Sequence, residues 1–198
     1  MELQENLDWE EIESFLSHFN HTMNLSDGKN SIIDFLTVNF PNFDTKVLLD
    51  LNINDLKNEF LEWVAVPLKT EKPESSIQSI YFGLFISSDK ELVDDLDEMK
   101  IIYLAGSSIS PIVDPDDWAV EPDYLPKTRY FVPNVFKAIE LELNKYKNTA
   151  DVEQIIYNGL INLVIINSKQ ELKNLLDDES RYIGSGFDEG PVYFLGKM

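Results

Sequence analysis

The sequence contains no cysteine, only two histidines and only eight glycines. Without thiols there is no disulfide, no thiolate nucleophile and no zinc site built on sulfur, which fits a reducing compartment. Neither G-x-G-x-x-G nor G-x-x-x-x-G-K-[ST] occurs, so the glycine loops that cradle phosphates in nucleotide chemistry are missing. The run Gly184-Ser185-Gly186 lacks the G-x-S-x-G spacing of a nucleophile elbow, and both histidines lie near the start of the chain, which argues against a Ser-His-Asp hydrolase. Long apolar runs are also missing. The longest, LINLVII over 160–166, falls well short of the roughly 18 residues of a membrane span. The opening MELQENLDWEEIESF carries acids where an export signal carries lysines. The expectation is a soluble cytoplasmic protein with no cofactor and no membrane partner.

Basic residues are scarce. Sixteen Lys and Arg stand against 36 Asp and Glu, a formal charge of −20 over 198 residues. A field of that sign repels nucleic acid and anionic lipid and speeds encounter with cationic surfaces. Either the charges are simply solvated, or a basic protein partner uses them.

The residues that are present describe an α+β chain. Asp8 and Glu11 have the spacing of a capping box, and Ile12, Phe15, Leu16 and Phe19 follow on one helix face. That helix is expected to end before a turn at SDGKN (26–30). A second helix is expected from about Asn30, burying Ile32, Ile33, Phe35 and Leu36, and a third from Asn54 that Pro67 stops. SIYFGLFIS and KIIYLAGS are aromatic and β-branched runs that suit buried strands. Between them, DKELVDDLDEM reads either as a helical excursion or as a long hairpin tip. Five prolines between Ser107 and Pro133 predict little regular structure there. The same stretch holds Trp118, Tyr124, Tyr130 and Phe131, more aromatics than a disordered linker carries, so an ordered, packed loop is expected. Trp118 itself is expected to sit in the core.

Toward the end, Pro133 opens a helix with Val135, Phe136, Ile139 and Leu143 on one face. Asp151 is read as the cap of a nearly all-apolar, central helix, and Ser168 with Glu171 opens a short one. RYIGSGF, DEG and PVYFLGK read as a closing β-hairpin. Helices, then strands, then helices and a hairpin predict a small antiparallel or mixed sheet with helices packed on one face. The chain is taken as one domain over 1–198, with a helical part (1–68) and an α+β part (77–198).

Catalytic or metal chemistry finds little support. His18 and His21 are three apart and would share a helix face, but the end of a helix favours an imidazolium, so a structural role is favoured over a ligand pair. Acidic clusters occur at Asp94, Asp95, Asp97 and Glu98, at Asp114, Asp116 and Asp117, and at Asp177, Asp178 and Glu179. DPDDW lacks the glycine and closing glutamate of an EF-hand. With carboxylates everywhere, pairing any two as acid and base is arbitrary.

Four segments, YFGLF (81–85), IYLAGS (102–107), DPDDWAVEPDYLPKTRY (114–130) and GFDEGPVYFLG (186–196), resemble small acidic immunity proteins of bacterial polymorphic toxin systems. The resemblance covers about residues 79–198, and where related sequences read DWAC this chain reads DWAV, with Val120 in place of a thiol. It implies a non-catalytic protein that neutralises a cognate toxin by stoichiometric binding, with the charge steering it to a basic partner. An interaction or regulatory adaptor is the alternative, and a carboxylate- or metal-dependent hydrolase the third. The partner-binding residues expected from the sequence are Asp116, Asp117, Glu121, Asp123 and Tyr124, with Asp188 and Glu189 at the hairpin tip.

Overall fold

A computed structural model describes the chain except residues 1, 4–6, 21–22, 91–97, 115–117, 178–179 and 189. The α+β expectation holds. The first helix, α1 (Trp9–Ser17), follows Asp8, whose carbonyl accepts the Glu11 N–H at 2.9 Å although its carboxylate makes no capping bond. Ile12 and Leu16 are buried, as is Phe19 in the 3-10 turn that follows.

The second helix, α2 (Leu25–Asn39), begins five residues before the expected Asn30, and SDGKN is its first half rather than a turn. Two local facts explain the correction. Asn24 caps the helix, accepting the Asp27 N–H at 2.9 Å. Gly28, inside the expected turn, is instead a close-packing residue. A Cβ on it would lie 2.4 Å from Cδ1 of Leu163, in α6 (Ala150–Ile166). A short helix absent from the sequence reading, α3 (Lys46–Leu49), leads to α4 (Ile53–Thr70), which Asn52 caps.

Pro67 does not stop α4, which runs three residues further. Its missing N–H removes one helix bond, at a cost of about 3 kcal/mol in a helix interior. The last turn is held anyway, because Val64, Pro67 and Leu68 are buried and the Glu71 N–H closes it on the Pro67 carbonyl at 2.9 Å.

The sheet contains β1 (Ser79–Ser87), β2 (Met99–Ser107), β3 (Tyr130–Phe131), β4 (Tyr182–Phe187) and β5 (Val192–Lys197), in the order β3-β2-β1-β4-β5. Only the central β1–β4 pair is parallel, so the sheet is mixed, and β4–β5 is the expected closing hairpin. Side chains alternate across it. Ile80, Phe82, Leu84, Ile102, Leu104 and Ile183 join the core shared with the helices. Tyr81, Gly83, Tyr103 and Gly184 belong to the opposite face.

The remaining helices are α5 (Asn134–Leu143), with Pro133 at its N-cap, then α6 and α7 (Lys169–Leu175). Thr149 rather than Asp151 stands at the N-cap of α6, with Asp151 in its first turn. Its residues from Ile155 to Ile165 are all buried, so it is the central helix that its apolar sequence predicts. Ser168 precedes α7, but its Oγ makes no hydrogen bond. Arg181, buried at the start of β4, donates to the carbonyls of Glu74 and Ile77 and ties the segment after α4 to the sheet. Residues 91–97, most of DKELVDDLDEM, lie outside the described residues.

Candidate functional site

The described residues between Ser108 and Arg129 form an arm that runs along the β2 edge, where Tyr124 pairs with Gly106, and reaches the sheet face opposite the helices at Trp118. Its anchor is Trp118, only 1% exposed, meeting Tyr81 edge-on at 5.9 Å between ring centroids. The indole lies over Gly184, where a Cβ would come within 2.6 Å of it. The same arm holds large aliphatic side chains out in solvent: Ile112 is 72% exposed, Val113 78% and Val120 63%. The tryptophan is buried while these three aliphatic side chains stay unsheltered.

At one end of the sheet the arm meets the chain that follows α4, and the two wall a cleft of about 660 Å³. Asp123 and Tyr124 line it with Glu71, Glu74 and Leu125. Asp123 is fixed by Ser108, whose N–H and hydroxyl both donate to Oδ2, at 2.8 and 2.6 Å. The Ser108 hydroxyl, then its N–H, hold this carboxylate below its ordinary pKa. Tyr124 pairs with Gly106 through two backbone hydrogen bonds of 3.0 and 2.9 Å. Burial, and next the Glu71 carboxylate, raise its phenol pKa, and its buried Oη has no hydrogen-bond partner. Glu71 accepts the Lys127 N–H, which chiefly lowers its pKa, and the Thr128 N–H. Lys72 lines the cleft as well, so three carboxylates stand against one ammonium, and Leu125 adds an apolar lip.

Asp188 is elsewhere. It follows β4 beside Leu84, and its Oδ1 accepts the Tyr103 hydroxyl at 2.5 Å. Burial first, and then this bond, raise the Tyr103 phenol pKa, and burial does the same for Tyr81, which donates to the Gly186 carbonyl at 2.9 Å. Asp123 sits by the Ser79 end of β1 and Asp188 by Leu84, five residues along the strand, or roughly 16 Å at strand rise. So the structure brings Asp123 and Tyr124 together and places Asp188 at a second location on the same sheet. Glu121 is exposed on the arm. Asp116, Asp117 and Glu189 lie outside the described residues. Sequence reasoning missed Glu71 and Glu74. Their only signal was the charged, proline-bearing run KTEKPESS (69–76), whose composition predicts a loop or linker and nothing of the arm it meets.

Compared with family models, curated proteins and solved structures, the chain matches none.

The other candidates are quickly placed. The His18 Nδ1 donates to the Ser14 carbonyl at 2.7 Å, a helix-end role, and His21 lies outside the described residues. Among the described residues, no three His, Cys, Asp or Glu side chains are grouped to hold a metal ion, and no helix is long and apolar enough to cross a membrane.

Proposed function

We propose that the protein is a non-catalytic binding protein that captures a basic protein partner stoichiometrically, as an immunity protein neutralises its cognate toxin. The observation that carries this reading is the arm. Ile112, Val113 and Val120 stand 63–78% exposed on a segment anchored by a buried tryptophan, in a chain of formal charge −20. Buried apolar groups at the centre of an interface supply affinity, while rim charges chiefly raise the on-rate. The arm offers the first, and Glu71, Glu74, Glu121 and Asp123 beside it offer the second. A toxin with a cationic substrate cleft would be occluded by such a surface without any turnover.

The test is capture by the tagged protein in its own organism, or with the product of the neighbouring gene, followed by elution in a salt gradient. The expected result is one basic protein in stoichiometric amount, released as salt rises. A partner indifferent to salt, or no stoichiometric partner, overturns the reading.

A further inference from the structure

A second cleft, of about 830 Å³, lies between α1 and α2. Both helices pack on the central α6, and their facing flanks meet through Phe15 and Phe35, whose ring centroids lie 3.9 Å apart with the planes 16° from parallel. The two rings and Met23 are only partly buried and give the cleft its apolar lining. Ser31, Phe35 and Val38 follow one face of α2 at three-and-four spacing. Val38 is exposed, so the apolar line runs on past the rings. Asp8, Glu10 and Glu11 line the cleft at the start of α1, and Ser14 and His18 line it further along.

Charge selects the guest. Asp8 makes no capping bond, and among the described residues neither it nor Glu10 nor Glu11 has an ion pair or a side-chain hydrogen bond. No described Lys or Arg lines the cleft. With the start of α1 counted as about half a positive charge and His18 as a full one, the three carboxylates still leave it negative. The surroundings supply no further cation. Residues 1–45 hold nine Asp and Glu against one Lys and no Arg. That lysine, Lys29, turns its Nζ to the carbonyls of Leu49 and Leu51, at 3.3 and 2.8 Å. An anionic guest is repelled, and a purely polar cation leaves the rings uncovered. Both walls are helices whose main-chain groups bond internally, so an extended segment finds no backbone partner there. A helix arrives with its own bonds satisfied and lays an apolar face into such a groove.

We propose that this groove docks a lysine- or arginine-rich amphipathic helix of a partner protein, its apolar face on Phe15, Phe35 and Met23 and its cations against Asp8, Glu10 and Glu11. The site is separate from the arm and does not rest on the binding role proposed there. Its test titrates a lysine–leucine peptide of about 14 residues, in amphipathic helical order, into the ¹⁵N-labelled protein. One control peptide keeps the composition in an order that is not amphipathic, and a second replaces leucine with glutamine at equal charge. The expected result is saturable shifts at micromolar peptide in the amides of Glu11, Ser14, His18 and Ser31, with both controls at least about tenfold weaker. Ser14→Lys, at an exposed position inside the groove, should weaken binding at least about fivefold, while Asn58→Lys, also exposed but on α4, carries the same charge change and should not. Shifts centred on Val113 and Val120 of the arm, or spread over the acidic surface, overturn the proposal. So do equal affinity for either control, an unchanged affinity in Ser14→Lys, or no saturable binding.

Discussion

Replacing Gly184 with alanine would put a methyl group 2.6 Å from the Trp118 indole and 2.8 Å from the Tyr193 carbonyl oxygen. Backbone cannot yield there, so Gly184→Ala should destabilise the fold by about 1–3 kcal/mol. A shift in the urea midpoint, together with loss of near-ultraviolet circular dichroism, would report it, and an unchanged midpoint would mean that Trp118 does not seat on β4. Lys100, with only 9% of its side chain exposed, holds its Nζ 2.6 Å from Glu153 and 3.4 Å from Glu140, so Lys100→Met leaves buried carboxylates uncompensated and should cost about 3–5 kcal/mol. The same change at Lys46, whose pair with Asp50 is largely in water, should leave the urea midpoint where it was. Equal effects at the two positions would contradict the buried network. Trp118 was legible as a core residue from its type. Glu71 and Glu74 were not, because a site assembled from segments some 50 residues apart has no local signature. Lys100 looked like one more strand-end lysine, since nothing in KIIYLAGS announces that Glu140 and Glu153 will meet it.

At the scale of elements, the strand runs, the closing hairpin and the central apolar helix were readable, because period and composition report burial directly. The failures came where tertiary packing overruled a local breaker. Gly28 reads as a turn but lies where α2 and α6 approach closely, and Pro67 reads as a stop but lies in a turn that the core holds. Gly28→Ala tests the first point. Alanine gains up to about 1 kcal/mol of helix propensity, yet its Cβ would meet Leu163 Cδ1 at 2.4 Å, and Leu163 is fully buried. The packing loss should win, lowering the melting temperature. A higher melting temperature would show that Leu163 can move aside and that α2 and α6 are less tightly apposed.

Over the whole molecule, a formal charge of −20 repels itself. Added sodium chloride should therefore raise the melting temperature at neutral pH, and a fall would contradict that. At the alkaline end, Tyr81, Tyr103, Tyr124, Tyr157 and Tyr193 all have phenols raised above their ordinary pKa, chiefly by burial. Their folded values exceed the unfolded value of about 10, so the stability they add is fully present below that pH and is lost as pH rises from there through the raised folded values. The tyrosinate absorbance of these five, out of eight tyrosines in the chain, should accordingly appear together with unfolding rather than before it. At the acid end the sign reverses: the depressed carboxylates of Glu71 and Asp123 stabilise above the ordinary carboxylate range and cease to as pH falls below it. The most direct measurement of the binding role compares capture by the native protein with capture by a Val113→Asp, Val120→Asp double variant. Both positions are exposed, so the melting temperature should not change. The account predicts that the native protein retains one stoichiometric, salt-released basic partner and that the double variant loses it. Equal retention of that partner by both would contradict the assignment of binding to the arm.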